Sequence, residues 1–236
     1  MDRRLLVTGS DIGLGFALTE EALMEEYKVY SCLYKSAGKD MLNLKKKYGD
    51  KLELIEGVDI ADDDSVTRAV EAVSKTTDFL DVIINNGAIN PDNFRSKLED
   101  INFKVTLDVM NVNTLGALRI TKGFINHLRR GYLKVLMNIS SEAGSITQSY
   151  RVTGFDYCAS KAALNMISSM LQTYLKPEGI KVLSVYPGWM QTQMGGMNAV
   201  MTPLEAAKKV LKLVMGFQGK FNSHIFVDND GNLIVW

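Results

Sequence analysis

The sequence predicts an α/β fold: a doubly wound parallel sheet of about seven strands with helices on both faces, in a single domain over residues 1–236. Short apolar runs rich in β-branched residues alternate with longer amphipathic stretches, the pattern of repeated strand–helix–strand units. No Pro/Ser-rich linker, repeat or low-complexity tract interrupts the series. A chain of this length can bury one large core.

Each element is predicted from its apolar period. The expected strands are Leu5–Thr8, Val29–Leu33, Leu52–Gly57, Leu80–Asn85, Lys134–Ile139, Lys181–Tyr186 and His224–Val227. The expected helices are Leu14–Glu26, Lys39–Tyr48, Asp63–Thr76, Asn102–Arg130, Phe155–Lys176 and Pro203–Met215. Ligands of such sheets bind at the carboxyl ends of the strands. Motifs at those ends are therefore expected to form the site.

Composition narrows the classes of function. The chain is 46% hydrophobic and 23% charged, with zero formal net charge and a pI near 6.7, so no overall field attracts nucleic acid or an anionic membrane. Two cysteines and two histidines match no familiar zinc-ligand spacing, so no metal site is expected. The N-terminal "MDRRLLVTGS" lacks a secretory apolar segment and no apolar run approaches 18 residues. We expect a soluble cytoplasmic protein with reduced thiols.

A glycine turn follows the first strand. In "LLVTGSDIGLGFAL", Gly9, Gly13 and Gly15 stand between a strand and a helix. Glycines there permit a tight turn and a close approach to a pyrophosphate, which the free N–H groups of the helix can bind. The turn predicts a dinucleotide cradle. The alternative is a merely structural turn, because the spacing is G-x-x-x-G-x-G and a glycine pattern alone is weak evidence.

The stretch "DYCASKAALN" places Tyr157 and Lys161 four residues apart on a predicted helix, with small side chains between them. Residues at this spacing lie on one face, and a nearby ammonium stabilises a phenolate. The pair fits an acid/base tyrosine with a lowered pKa. The alternative is a solvated helix face, since the composition gives about 0.7 such pairs by chance.

Taken together, the motifs resemble the short-chain dehydrogenase/reductase family over nearly the whole chain. The glycine turn, Asp59, "NNGA", Asn113, "NISS", Tyr157-x-x-x-Lys161 and "PG" occur in that family's order. Within the family, "ISSEAGSI", "PGWMQTQMGG" and "DNDGNLIVW" are most similar to the C-factor and sniffer-type carbonyl reductase branch. The resemblance implies a Rossmann-like fold.

The resemblance also implies catalytic roles. Tyr157 would exchange a proton with the substrate oxygen, and Lys161 would lower the pKa of the phenol and hold the nicotinamide ribose. Ser141 would hydrogen-bond the carbonyl oxygen, with Ser140 left to packing or to a local cap. Asn113 would bend the long helix and hold a water that connects Lys161 to solvent.

Cofactor contacts are carried over from the family by position. They are Gly9, Ser10, Asp11, Ile12, Gly13, Leu14, Gly15, Asp59, Ile60, Asn86, Gly87, Pro187, Gly188 and Thr192, together with Tyr157 and Lys161. Taken one at a time, some have ordinary alternatives: Asp59 as a helix cap, Asn113 as an exposed amide and Thr192 as a loop residue.

The chain departs from the family pattern in two places. The usual Asn-Asn-Ala-Gly reads "NNGA" here, with Gly87 before Ala88, which puts a Cβ where the backbone normally passes close to the cofactor ribose. Ser141 and Tyr157 are 16 residues apart, so the loop between them is long. Such a loop over the cleft is expected to influence specificity.

The choice of nicotinamide cofactor depends on the end of the second strand. Val29–Tyr34 contains no acid, and Lys35 and Lys39 follow. A carboxylate there accepts ribose hydroxyls and repels a 2′-phosphate, whereas a cation attracts it. We therefore predict NADP(H) in preference to NAD(H), with Lys35 at the phosphate. Lys35 pointing to solvent is the alternative.

The substrate segment is predicted at about 189–202, where several methionines accompany Trp189 and a glycine pair. Flexible thioethers fit an adaptable apolar lid over a carbonyl or alcohol substrate. The alternative is that these methionines pack the loop onto the body of the protein. Arg151 is the one cation expected to approach the cleft from the other loop.

Two functions remain open from the residues. The first is an NADP(H)-dependent oxidoreductase that transfers a hydride between nicotinamide and a ketone, aldehyde or secondary alcohol. The second is a dinucleotide-binding signalling or sensor protein with little turnover. Retention of Asn113, Ser141, Tyr157 and Lys161 favours the enzyme. The resemblance also implies a homodimer or homotetramer formed through the long helices.

Overall fold

The computed structural model describes residues 3–91, 94–216 and 225–236. Within these ranges the strands are β1 Arg4–Thr8, β2 Lys28–Cys32, β3 Leu52–Ile55, β4 Val82–Asn85, β5 Val135–Ile139, β6 Lys181–Tyr186 and β7 Phe226–Asp228. The α-helices are α1 Gly13–Met24, α2 Lys39–Tyr48, α3 Asp63–Ser74, α4 Phe103–Met110, α5 Ala117–Arg130, α6 Phe155–Leu175 and α7 Pro203–Gly216.

The strands form one parallel sheet in the order β3-β2-β1-β4-β5-β6-β7. The chain builds outward from β1 to β3 and then returns to place β4 beside β1. The order therefore reverses between β1 and β4, where ligands of such sheets bind. The predicted doubly wound α/β fold is confirmed. The predicted start of the last strand, His224, lies outside the described residues.

The core has two layers because successive strand residues point to opposite faces of the sheet. Leu5 and Val7 pack with side chains of α1, α2 and α7, whereas Leu6 packs with those of α3, α5 and α6. Helices thus cover both faces of the sheet. This explains why the strands are short apolar runs in the sequence.

The helix predicted over Asn102–Arg130 is divided by a π-helical segment, Asn111–Gly116. Polar side chains of this segment bond to neighbouring elements. Asn113 contacts the loop after β4, and the Thr114 hydroxyl donates to the Ser160 carbonyl at 2.9 Å. These bonds stabilise the wider turn, which is a common local feature of functional sites.

Buried amide and hydroxyl groups fix α6 to the sheet. The Asn165 Oδ1 atom accepts hydrogen bonds from Ser140 at 2.7 Å and from Ser184 at 2.6 Å, while its Nδ2 donates to the Gly144 carbonyl at 3.1 Å. Fully bonded polar networks in a core specify one arrangement of the elements they join. This network sets the position of α6 over the ends of β5 and β6. Ser140 thus has the packing role expected of it.

Candidate active site

The glycine turn lies between β1 and α1 at the reversal of strand order. Gly9 and Gly13 have φ values of +62° and +59°, and a Cβ added to Gly15 would lie 2.1 Å from the Gly9 carbonyl oxygen. Side chains are therefore excluded at these positions. No side chain caps the first N–H groups of α1 at Ile12. Shape and free donors together fit a bound pyrophosphate.

The other residues of the turn divide by burial. Ser10 is buried and its hydroxyl donates to the Val7 carbonyl at 2.9 Å, and Leu14 packs in the core. Ile12, by contrast, is exposed. Ser10 and Leu14 thus hold the turn in place, and their predicted contact with the cofactor stays a prediction.

Asp11 brings a carboxylate to the end of β2. Its two oxygens accept hydrogen bonds from the backbone N–H groups of Tyr34 at 2.8 Å and Lys35 at 3.0 Å. The strand itself carries no acid, but the tertiary structure supplies one from the glycine turn. The side chain of Lys35 is exposed beside it.

The "NNGA" turn is bonded directly to the glycine turn. The Thr8 hydroxyl accepts from the N–H groups of Asn86 at 3.0 Å and Gly87 at 3.1 Å. The Asn86 amide donates to the carbonyls of Thr8 and Gly9 at 2.9 and 3.0 Å. A Cβ added at Gly87 would meet the Ile60 side-chain terminus at 2.9 Å. Glycine at position 87, where the family usually has alanine, therefore leaves room for the Ile60 side chain.

Asp59 does not cap α3, so that alternative is wrong. The cap is Asp62, whose carboxylate accepts from the Ser65 N–H at 2.6 Å. Asp59 instead accepts from the Ala61 N–H at 2.9 Å, which fixes the bend that carries Ile60. Ile60 is buried against Gly87 of the "NNGA" turn, on the predicted adenine side of the cleft.

The loop after β6 approaches the glycine turn from the other side. A Cβ added at Gly13 would lie 3.3 Å from Thr192 Cγ2, so Thr192 lies beside the glycine turn. Its predicted contact with the nicotinamide stays a prediction. Asn229 donates to the Pro187 carbonyl at 2.8 Å, and Gly188, at φ +90°, leaves no room for a Cβ beside that amide. The C-terminal segment thus supports the "PG" loop, a role that sequence reasoning did not assign to Asn229.

Tyr157 and Lys161 are both buried, with 6% and 2% of their surface exposed, so the solvated-face alternative is wrong. The Lys161 ammonium lies 5.6 Å from the centre of the Tyr157 ring and donates to the Ile139 carbonyl at the end of β5, at 2.8 Å. Gly144 allows α6 to approach so closely, because a Cβ there would lie 2.8 Å from the Lys161 backbone.

Ser141 and Asn113 lie on either side of this pair. The Ser141 hydroxyl, directly after β5, lowers the pKa of the Tyr157 phenol, against the larger effect of burial. Asn113 accepts from the Ile89 N–H at 2.7 Å and donates to the Ile89 carbonyl at 2.9 Å and the Ser160 hydroxyl at 3.1 Å. Asn113 is therefore buried and fully bonded, which excludes the exposed-amide alternative. Its predicted water stays a prediction.

The electrostatics of the pair differ from the expectation. Burial raises the pKa of the Tyr157 phenol, and the negative charge of Glu142 raises this pKa further, against smaller opposing effects of Ser141 and Arg151. The largest influences on this pKa do not include Lys161, whose ammonium donates to the Ile139 carbonyl. Burial also lowers the pKa of Lys161 from 10.5 to about 8. For the chain alone, the net direction of the tyrosine pKa is therefore opposite to the expected lowering, because burial outweighs the other influences.

Two site residues were missed by sequence reasoning. Glu142 places its carboxylate against Ser141, and its position directly after that serine was the available signal. The rings of Phe94 and Tyr157 pack edge to face, with their centres 4.9 Å apart. The backbone of Phe94 is in the left-handed region, at φ +62°. Nothing in the local sequence of Phe94 indicates this contact, because the segment from 94 to 96 meets α6 only through the tertiary fold.

The predicted substrate segment at 189–202 is partly packed and partly exposed. Trp189 donates to the Gly195 carbonyl at 2.7 Å, and the Gln191 N–H donates to the Met201 carbonyl at 2.9 Å. Met190 is buried whereas Met197 is 80% exposed. Packing accounts for the first methionine, and an adaptable apolar surface remains for the second.

Two findings concern the described ranges as a whole. No group of three or more His, Cys, Asp or Glu side chains in them is arranged to hold a metal ion. Nor does any helix there combine the length and the apolar composition that crossing a bilayer requires.

Comparison with known proteins identifies the family, because residues 3–200 match the family described as "short chain dehydrogenase". The chain belongs to the short-chain dehydrogenase family. It is thus an oxidoreductase of the class that acts on CH–OH and C=O groups. The predicted resemblance is confirmed.

Relatives of this short-chain dehydrogenase lie in the predicted branch. C-signal of Myxococcus xanthus is 30% identical over 165 residues, which cover 70% of this chain and 98% of C-signal. The structure of carbonyl reductase Sniffer of D. melanogaster matches with a TM-score of 0.89 at 25% identity over 100% of both chains. An NADPH-bound carbonyl reductase from chicken fatty liver has the same fold, with a TM-score of 0.89 at 24% identity over 100% of this chain and 94% of that one.

Replacing the buried ammonium should alter how stability depends on pH. At pH 7 we expect Lys161→Met to be more stable than the parent by about 2 kcal/mol, since it removes a desolvated charge and loses one hydrogen bond. The parent's folded state releases this proton near pH 8 and its unfolded state near 10.5. Between these two pH values the unfolded state binds more protons than the folded state, so the free energy of unfolding of the parent increases as pH rises. The stability difference between Lys161→Met and the parent therefore narrows.

Urea unfolding from pH 7 to 10 measures this effect. Lys46→Met, on the exposed side of α2, is the matched control and should show no such narrowing. A difference between Lys161→Met and the parent that stays constant with pH would contradict a desolvated ammonium.

Proposed function

We propose that this short-chain dehydrogenase is an NADP(H)-dependent carbonyl reductase in which Tyr157 is the general acid/base. The observation that supports it is the buried cluster of Tyr157, Ser141 and Lys161 at the carboxyl edge of the sheet, beside a glycine turn with free N–H donors. A buried ammonium is uncommon, because desolvation disfavours its charge, and titratable groups with perturbed pKa values are concentrated at functional sites.

The cluster fits proton exchange at one substrate oxygen. The nicotinamide, when bound, supplies the hydride to the carbonyl carbon or takes it from the alcohol. In reduction, the Tyr157 phenol donates its proton to the carbonyl oxygen and Ser141 holds that oxygen by a hydrogen bond. In oxidation, the Tyr157 phenolate takes the alcohol proton. Burial favours the protonated phenol, which is the form that reduction requires.

The glycine turn, Thr192 and the Pro187–Gly188 backbone would hold the dinucleotide. Lys35 would contact a 2′-phosphate, with Asp11 fixing the backbone that carries it. The carbonyl reductase from chicken fatty liver has NADPH bound, which supports this choice. Asp59, Ile60 and Asn86 would shape the adenosine end of the cleft.

A second candidate, a signalling protein with little turnover, has one supporting observation. Its basis is the name of a 30% identical relative, C-signal. The intact hydroxyl and ammonium cluster favours turnover, because binding a dinucleotide alone requires no protonated phenol.

The substrate we propose is an apolar ketone or aldehyde, given the exposed apolar side chains of the 189–202 segment.

Removal of one oxygen atom tests the general acid. Tyr157→Phe should reduce NADPH consumption with aromatic ketones, diketones and aldehydes by about 10³-fold or more, because the proton donor is lost. NADPH affinity should change little. Tyr150→Phe, on the exposed part of the loop before α6, is the matched control. Comparable turnover in the Tyr157→Phe variant would refute the role, and absence of turnover in the parent would favour the signalling candidate.

The cofactor preference is tested by calorimetric titration of NADPH and NADH. We expect the parent to bind NADPH more tightly than NADH. Lys35→Ala should weaken the binding of NADPH about tenfold and leave the binding of NADH unchanged, since one contact between a charge and the phosphate is lost. Asp11→Asn should strengthen the binding of NADPH, because the substitution removes a negative charge from the same end of the cleft. Tighter binding of NADH by the parent would overturn the preference.

We propose a homodimer or homotetramer formed through α4 and α6, which pack beside each other. Both carry exposed apolar side chains at i, i+4 spacing: Phe103, Leu107, Met166, Met170 and Tyr174. Sedimentation velocity should give an oligomer for the parent and a monomer for Leu107→Lys/Met170→Lys. A monomeric parent at micromolar concentration would contradict the proposal.

A further inference from the structure

The chain turns back on itself after the last strand. The Asp228 N–H donates to the Asn232 carbonyl at 2.9 Å, and Val227 pairs with Leu233 in the antiparallel sense. The Asp228 Oδ1 atom accepts from the Asn232 N–H at 2.8 Å, which closes the turn. Residues 226–236 therefore form a short hairpin, which we name the β7 hairpin.

The second arm of the β7 hairpin lies against the long loop that precedes α6. The Ser145 hydroxyl donates to the Val235 carbonyl at 2.7 Å, and the Thr147 N–H donates to the main-chain oxygen of Trp236 at 2.9 Å. The Trp236 ring also stacks on Phe226, with the ring centres 5.4 Å apart. These contacts hold the hairpin in place without any help from the side chains of its turn.

The turn of the hairpin presents one buried amide to the 189–202 segment. Asn229 is 7% exposed, and its Nδ2 donates to the Pro187 carbonyl at 2.8 Å and to the Met201 Sδ atom at 3.5 Å. Pro187 lies just before this segment, and Met201 lies near its end. A single side chain therefore joins the two ends of the segment.

This amide packs directly on the backbone that we propose to hold the nicotinamide. A Cβ added at Gly188, whose φ is +90°, would lie 2.7 Å from Asn229 Nδ2. Further along the same segment, Thr192 lies beside Gly13 of the glycine turn. A shift of the backbone at Gly188 would therefore alter one wall of the cofactor cleft.

The adenosine end of the cleft is held by other bonds. The Thr8 hydroxyl and the Asn86 amide join the glycine turn to the "NNGA" turn, and Asp11 binds the backbone of Lys35. None of these bonds involves the β7 hairpin. The two halves of the cleft thus depend on different contacts.

We propose that Asn229 is a positioning residue that holds the Pro187 carbonyl, and with it the nicotinamide half of the bound dinucleotide, while the adenosine half binds independently of it. The identity of the ligand rests on the proposed function. Without the amide donor, the Pro187 carbonyl loses a partner and the segment can adopt other arrangements. Binding of the nicotinamide must then select the original arrangement, which weakens the apparent affinity.

A purely structural role would behave differently. If Asn229 only fastens the hairpin to the body, its loss should lower the free energy of unfolding and weaken no half of the dinucleotide selectively. Asn229→Asp keeps the shape of the side chain and replaces its N–H donors with an acceptor, so it separates the hydrogen bond from the volume. Asn232→Ala is the matched control, because it removes an exposed amide of the same hairpin, one that donates to Asp228.

The first test needs no ligand. Hydrogen exchange followed by mass spectrometry should be about tenfold faster over residues 187–202 in Asn229→Ala and Asn229→Asp, since the bonds of this segment open more often. Peptides of β6 provide the internal reference and should exchange as in the parent. Asn232→Ala should leave the exchange of 187–202 unchanged. Unaltered exchange in both Asn229 variants would overturn the proposal.

The second test compares a whole ligand with half of it. Calorimetric titration with NADP and with adenosine 2′,5′-bisphosphate gives two dissociation constants for each variant. In Asn229→Ala and Asn229→Asp, the ratio of the NADP constant to the bisphosphate constant should rise about fivefold to tenfold, as expected for one lost hydrogen bond. In Asn232→Ala the ratio should equal that of the parent.

The possible failures are distinct. Equal weakening of both ligands, or a changed ratio in Asn229→Ala with a parental ratio in Asn229→Asp, would overturn the role of the hydrogen bond. A parent that binds neither ligand would refute the proposed function. A parent that binds both, with the same ratio in every variant, would refute only the role of Asn229.

Discussion

The candidate site depends on one hydrogen bond in the interior, from the Lys161 ammonium to the Ile139 carbonyl at the end of β5. A buried ammonium without a partner is strongly unfavourable, so this bond requires α6 to lie close over β5 and β6. Gly144 makes the approach possible, and the amide of Asn165 fixes its register. The position of the Tyr157 phenol follows from these contacts, because it shares one face of α6 with Lys161.

Burial and charge compete at this phenol, and burial prevails. An ammonium four residues away on a helix is expected to stabilise a phenolate, but here it is 5.6 Å from the ring centre and committed to a carbonyl. The carboxylate of Glu142 acts more strongly and in the opposite sense. A proton donor is thus favoured over a base.

The cofactor end of the cleft shows a related balance. The glycine turn needs its glycines because the backbone of Gly9 passes within contact distance of the backbones of Gly15 and Gly87. Thr8 and Asn86 hold that crossing with direct hydrogen bonds, so it is rigid. Asp11 then adds a carboxylate beside Lys35, and the preference for a 2′-phosphate depends on the difference between these two charges.

The sequence determined the strands, the helices and the order of the motifs, because apolar period and glycine position are local properties that act through the backbone. It also placed Tyr157 and Lys161 on one face, since that follows from helical spacing alone. Only the tertiary structure decided the hydrogen-bond partners of Asn113, the packing of the Phe94 ring on Tyr157, and the effect of Glu142 on the pKa of the phenol. These depend on distances between segments far apart in the chain and on burial, which sets the strength of every charge. No local pattern specifies either quantity.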